Sequence, residues 1–226
     1  MAAWLVSNHD IPREIKMNNI RMPELVLLDF GGVIAEEGFK AAMVDLALEQ
    51  KKDPEALKRM AFDLVYATGF TTGKIRDKDF WKALREKSGI IGSDKDLTAF
   101  VHDRFIVRPS MLYLSARLRL KGIRTAILSD QTHWLDELDE RDGFFPCFDR
   151  IFNSYYSGIT KKDTEFFLQV LDAMEVRPEK ALFVDDHRPH VERALSLGMD
   201  AIWYQEEKAF REEVQKRFPF VLFDSP

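Results

Sequence analysis

Residues Ala181–Gly198, ALFVDDHRPHVERALSLG, give the clearest structural pattern in the chain. It opens with a continuous apolar run, Ala181–Asp185, the pattern of a strand buried on both faces. Two adjacent acids, Asp185 and Asp186, follow at its end. A helical pattern then runs over Pro189–Leu197 and is stopped by Gly198. This is a strand feeding a helix, and the same pattern recurs along the chain. Apolar runs at Leu25–Phe30, Thr125–Ser129, Ile151–Ser154 and Ala201–Tyr204 read as four more strands. Helical patterns at Ser110–Lys121, with Gly122 as its stop, and at Thr164–Met174 alternate with them. Alternation of this kind predicts parallel βαβ units with helices on both sheet faces, an α/β fold with a doubly wound Rossmann-like core.

One region breaks the alternation. Residues 36–107 hold helical stripes and no convincing strand. Phe39, Met43, Leu46 and Ala47 share a face, and so do Leu57, Met60, Ala61, Leu64 and Val65. Phe80, Trp81 and Leu84 form a third stripe, and Leu97, Phe100 and Val101 a fourth. Asp53-Pro54 reads as an N-cap followed by Pro at the first helical position, and Ser93 with Asp96 as a capping arrangement. The expected organisation is therefore an N-terminal arm at 1–23, an α/β core at 24–35 and 108–226, and an inserted α-helical cap domain at 36–107.

Composition sets outer limits. The chain has 226 residues, 46% of them hydrophobic, enough for a core. The 33 Lys and Arg against 38 Asp and Glu leave a net charge of −5, which argues against nucleic-acid and polybasic membrane partners. No apolar run approaches the ~18 residues of a membrane span. The single Cys, Cys147, excludes an internal disulfide or a cysteine-rich zinc site, and a reducing, cytoplasmic location is expected.

In open α/β sheets ligands bind beyond the carboxyl ends of the strands. Those ends carry Asp29 with Gly31 and Gly32, then Ser129 with Asp130, then the pair Lys161-Lys162 in a loop, then Asp185-Asp186. Carboxylates with a backbone carbonyl suit Mg²⁺. A carboxylate can also attack phosphorus and become an aspartyl-phosphate. A hydroxyl and an ammonium can hold the phosphoryl oxygens, and a Gly pair lets the backbone approach a phosphate.

The segments VLLDFGGVI, AILSD, GITKK and LFVDDHRPHVERALSLG occur in this order, with Asp29, Ser129, Lys161 and Asp185 separated by 100, 32 and 24 residues. Together they resemble the four motifs of the haloacid dehalogenase-like superfamily. The likeness extends over about residues 24–217. It is greatest to the phosphatase-like branch with an Asp-x-Gly first motif, including domains attached to some epoxide hydrolases and acyl-CoA dehydrogenases. The resemblance implies that Asp29 is the nucleophile and a metal ligand, and that the Gly31 carbonyl, Asp186 and, through water, Asp185 complete an Mg²⁺ site. It implies that Ser129, Lys161, Gly32 and the Asp130 position face the phosphate. The implied activity is a Mg²⁺-dependent phosphatase acting on a small phosphorylated metabolite. A metal-free dehalogenase and a weakly active binding or regulatory scaffold are the alternatives.

The departures are specific. Many family phosphatases carry a second Asp two residues after the nucleophile as general acid and base; here that position is Gly31. Asp130 stands where Asn is common, and a carboxylate there needs to be turned away, protonated or paired, for which Lys162 is a candidate partner. His190 replaces a frequent Asn or Asp. Asp130 and His190 are the expected substitutes for the missing acid. Glu36, Phe39, Tyr66, Phe70 and Thr71 are expected to face the site from the insertion, and Trp134 to line the pocket or the core. Oligomeric state is not readable.

Overall fold

The computed structural model describes residues 22–223, so the expected arm lies almost wholly outside the described residues. Five strands, β1 (Leu25–Leu28), β2 (Arg124–Ser129), β3 (Arg150–Asn153), β4 (Ala181–Asp185) and β5 (Asp200–Trp203), form one sheet in the order β3-β2-β1-β4-β5. Every pairing is parallel. The order reverses at β1, which pairs with β2 on one side and β4 on the other. That reversal is the topological switch point where α/β sheets open a crevice.

The all-apolar β1 has a direct cause. Successive strand side chains point to opposite faces, and here both faces are covered. Val26 and Leu28 enter one hydrophobic cluster, Leu25 and Leu27 the other. The first face is packed by α5 (Pro109–Arg119), α6 (Trp134–Asp142) and α10 (Glu207–Arg217), through Met111, Leu114, Leu138 and Phe210. The second is packed by α8 (Thr164–Ala173) and α9 (Arg188–Ser196), through Phe166, Phe167, Val170 and Ala194. Burying each such large side chain stabilises the fold by about 1.5–3 kcal/mol before entropy is counted.

Four helices separate β1 from α5 in the chain: α1 (Gly38–Glu49), α2 (Pro54–Ala67), α3 (Asp77–Ser88) and α4 (Asp94–His102). Their capping is local. Asp53 accepts from the Ala56 N–H at 2.8 Å, and Ser93 from the Asp96 N–H at 3.1 Å. The two chain segments joining these helices to the rest run side by side where Ala35 bridges Val107. Arg108 ties them together, donating to the Val33 and Ala35 carbonyls at 2.7 Å each and pairing with Glu36 at 2.9 Å. The apolar faces of the four helices belong to the same cluster as one face of the sheet. Trp134, at the start of α6, is the joint. Its ring meets Phe70 edge-on at 5.1 Å, stacks on Trp81 at 5.7 Å and touches Phe39 and Phe80.

Three elements differ from the sequence reading. The first run, read as a strand to Phe30, leaves the sheet after Leu28, where Asp29 begins the turn. Helix α6 has no counterpart there, because WLDELDERD offers only Leu135 and Leu138 after its Trp. The run read as a strand to Ser154 stops at Asn153, whose side chain accepts from the Tyr155 N–H and starts a one-turn helix, α7 (Ser154–Ser157).

Candidate active site

Asp29 follows β1 directly. Its N–H still donates to the Val184 carbonyl at 2.9 Å, so the residue is held in register with β4 before the chain turns. The turn returns the Ile34 and Ala35 N–H groups to the Asp29 and Phe30 carbonyls and passes through Gly32 at φ +82°. Both carboxylate oxygens of Asp29 are engaged. Oδ1 accepts from the Ser129 hydroxyl at 2.7 Å and from the Phe30 N–H at 2.7 Å. Oδ2 lies 2.7 Å from the Lys161 ammonium.

Lys161 organises the centre. It is 1% exposed, and Nζ sits 2.7 Å from both Asp29 Oδ2 and Asp185 Oδ2. Arg193 fixes its backbone by donating to the Lys161 carbonyl at 2.8 Å. Burial alone would favour the neutral amine, but the Asp185 and Asp29 charges outweigh it and hold the ammonium well above its ordinary range. Burial also works against the Asp185 carboxylate. Lys161, together with His190 Nδ1 at 3.2 Å, reverses that and keeps Asp185 ionised. The Asp185 Oδ1 atom accepts from the His187 N–H at 2.7 Å. Asp29 is pushed the other way, upward, chiefly by burial; Lys161 opposes the shift and repulsion from Asp185 adds to it.

Asp130 is paired, but not with Lys162. Its Oδ1 accepts from the Lys161 backbone N–H at 2.8 Å, and burial raises its pKa. The Lys162 ammonium lies instead over the Tyr66 ring at 3.4 Å, a cation–π contact across the mouth of the site.

Asp29, Asp185 and Asp186 each offer an oxygen within 4.8 Å of the others. This is a hard, all-oxygen donor set of the kind Mg²⁺ takes, so the residues fit the ion. A side chain at residue 32 would be incompatible with that set, since its Cβ would fall 2.2 Å from Asp186 Oδ2. The Trp203 indole N–H donates to the Asp186 carbonyl at 2.9 Å and fixes the backbone there.

These groups open onto a cavity of about 440 Å³. One wall is polar: Asp29, Ser129, Asp130, Lys161, Asp186 and His190. The facing wall comes from the inserted helices and α6, with Phe39, Phe62, Val65, Tyr66, Thr71 and Trp134. Two expectations for this wall need correcting. Glu36 turns away to pair with Arg108, and Phe70 packs between Phe80 and Trp134. The acid that enters the cavity is the next residue, Glu37. It caps α1, with Oε1 accepting from the Lys40 N–H at 3.3 Å. Burial, reinforced by Asp186, raises its pKa to about 7. The readable signal was positional, because the stripe beginning at Phe39 puts Glu37 at the helix N-cap.

Fold and site together define an α/β protein with an acid-lined centre at the switch point of a parallel sheet. The family profile for haloacid dehalogenase-like hydrolases matches residues 23–198, and the chain belongs to that family. Among curated proteins it is similar to bifunctional epoxide hydrolase 2 of Rattus norvegicus, 31% identical over 120 residues. That match covers 50% of this chain and 21% of the relative, so the chain spans only a fraction of that protein's length. It is 31% identical to a sesquiterpene phosphatase of Aspergillus oryzae over 136 residues, 58% of this chain and 67% of the relative. Among solved structures, a HAD family enzyme of Bacteroides thetaiotaomicron superposes with a TM-score of 0.67 at 21% identity, covering 85% of this chain and 99% of that one. The same enzyme in complex with magnesium and inorganic phosphate gives a TM-score of 0.61 at 22% identity, covering 82% and 98%. An L-2-haloacid dehalogenase of Xanthobacter autotrophicus gives 0.60 at 17% identity, covering 86% and 83%. Among the described residues no helix is long and apolar enough to cross a membrane.

Proposed function

We propose that this chain is a Mg²⁺-dependent phosphatase of a small phosphate monoester, working through a phosphoryl group carried on Asp29. The convergence of Asp29, Asp185 and Asp186 within 4.8 Å, with Lys161 bridging two of them, carries the reading. Asp29, Asp186 and the Gly31 carbonyl would hold the ion directly and Asp185 through water; when bound it withdraws charge from the phosphoryl oxygens. The Asp29 carboxylate attacks phosphorus, the phosphorus–ester bond breaks, and water then releases phosphate from Asp29. Lys161 and Ser129 hold phosphoryl oxygens beside Asp29, and Gly32 leaves room for Asp186. Residues 36–107 act as the cap, closing the cavity over the substrate and excluding water.

The apolar wall of Phe39, Phe62, Val65, Tyr66 and Trp134 favours an alcohol that is itself largely apolar. The sesquiterpene phosphatase among the relatives agrees with that preference.

The test is phosphate release from a panel of alkyl, prenyl, sugar and aryl phosphates, with Mg²⁺ and with a chelator, for wild type and Asp29→Asn. Expected is Mg²⁺-dependent release that Asp29→Asn abolishes. Release that survives in Asp29→Asn removes the nucleophile assignment. Halide release from 2-haloacids without metal would select the dehalogenase reading, and Mg²⁺ binding without turnover the scaffold reading.

A further inference from the structure

The proposed reaction leaves one requirement open. When the phosphorus–ester bond breaks, its electron pair stays on the alcohol oxygen, which needs a proton. When water attacks the phosphoryl group on Asp29, that water must lose one. Two of the charged groups around the cavity are committed elsewhere. Lys161 is locked between Asp29 and Asp185, and Lys162 rests on Tyr66. Asp130 and His190 are half engaged: Asp130 Oδ1 accepts from the Lys161 N–H and His190 Nδ1 faces Asp185, while Asp130 Oδ2 and His190 Nε2 are buried without a partner among the described residues.

Glu37 is differently placed. One oxygen caps α1, the residue makes no ion pair among the described residues, and it lines the same cavity as Asp29 and Gly31. A Cβ built on Gly31 would fall 2.8 Å from Glu37 Oε2. The carboxyl of Glu37 therefore fills the room that a side chain two residues beyond Asp29 would take. Gly31, unlike Gly32, does not have the positive φ that favours glycine. It is accommodated here for space, and the space is used by an acid arriving from the other side. Glu37 is also the N-cap of α1, two residues before Phe39 of the apolar wall, and it lines one cavity together with Asp29 and Phe39.

We propose that Glu37 is the proton donor to the leaving alcohol and the proton acceptor from the attacking water. The inference rests on the phosphatase reading. In the first step the Asp29 oxygen–phosphorus bond forms, the phosphorus–ester bond breaks, and the Glu37 proton passes to the alcohol oxygen. In the second, water adds to phosphorus, its proton passes to the Glu37 carboxylate, and Asp29 leaves as carboxylate, which restores the starting state. The insertion would thus supply a reacting group as well as a lid.

The experiment uses the full chain with Mg²⁺ and compares Glu37→Gln, which keeps the capping oxygen, with wild type on two substrates. One is 4-nitrophenyl phosphate, whose leaving group needs no proton; the other is an alkyl phosphate turned over by wild type. Expected is a loss of about 10²–10⁴-fold in kcat/KM on the alkyl ester with less than about tenfold on the aryl ester. Intact-mass spectrometry after mixing with 4-nitrophenyl phosphate should show a phosphoryl adduct that persists in Glu37→Gln, because the water-attack step has lost its base. Moving the acid, in the double variant Glu37→Ala/Gly31→Asp, should recover alkyl hydrolysis relative to Glu37→Ala. Equal losses on both esters, or no adduct, would reduce Glu37 to a helix cap and overturn the proposal. Asp29→Asn, run in parallel, separates this from failure of the phosphatase reading, since a wrong Glu37 leaves the Asp29 requirement intact.

Discussion

Adding one methyl group at Gly32 should disable the site while leaving the fold standing. Two effects follow from the geometry. First, φ is +82°, a left-handed conformation that an L-residue adopts at a penalty of about 1–2 kcal/mol. Second, the new Cβ would lie 2.2 Å from Asp186 Oδ2 and 2.4 Å from its Cγ, where ordinary contact begins at 3.4 Å. The Asp186 carboxyl must therefore retreat by about 1.2 Å, and misplacement on that scale can lower a rate by about 10²-fold. It cannot retreat with its backbone, which Trp203 holds through the Asp186 carbonyl. Gly32→Ala is thus expected to unfold roughly 2–8 °C lower than wild type, taking about 2–4 °C per kcal/mol for a chain of this size. It should also lose about 10²-fold in Mg²⁺-dependent phosphate release. Thermal scanning and the phosphate assay measure these two quantities, and calorimetric titration should show weakened Mg²⁺ binding because the Asp186 carboxyl is displaced. Gly31→Ala is the stability control, because its Cβ would come closer than ordinary contact only to the far end of the Glu37 side chain, with Phe105 and Gln131 at 3.5 and 3.7 Å. Gly32→Ala with wild-type Mg²⁺ affinity and a rate within threefold of wild type would refute the reasoning.

Three other perturbations follow from the same structure. Lys161→Met leaves Asp29 and Asp185 facing each other without their shared ammonium, and should destabilise the metal-free protein by about 3–5 kcal/mol at neutral pH; the loss should shrink at pH 5 as one carboxyl takes up a proton, read by urea unfolding at both pH values. Trp134→Ala opens a hole where four aromatic rings of the inserted helices meet α6, with an expected loss of about 3–5 kcal/mol in chemical denaturation. His102 is held neutral mainly by burial, with Arg141 adding, so its pKa falls to about 4. The unfolded chain then binds the extra proton first, so stability should decrease as pH falls from about 6.5 towards 4, by about 1–2 kcal/mol after allowance for partial solvent contact. The urea midpoint of His102→Gln, compared with wild type at pH 7 and 4.5, should lack that part of the slope.

Much of the core was legible because its physics is local. A strand buried on both faces must be apolar at every position, so Leu25–Leu28 and Ala181–Val184 stand out against a charged chain. Helix α6 was not legible, since its packing rests on Trp134 and two leucines among six charged residues, and only the neighbouring aromatics between β1 and α5 make that side a buried one. The same limit applies at the site. Whether Asp130 is paired through Lys162 or through a backbone amide depends on where the Lys161 loop lies, which no residue near Asp130 specifies.

The pattern of consecutive residues was enough to read the five-stranded parallel α/β core, the helices that lie between β1 and α5, and the acids and the Lys pair that follow the strands. These depend on periodicity and on strand ends, and both are written in consecutive residues. What the residues beside these acids and lysines touch was settled by how distant segments pack. Lys162 lies over Tyr66 and does not pair with Asp130, and Glu37, not Glu36, enters the cavity. Adjacent residues leave the backbone in different directions, and the direction that counts is set by how a helical segment docks on a sheet far from it in the chain. The room beside Gly31 follows the same rule: its emptiness is a property of one residue, but its occupant comes from across the fold.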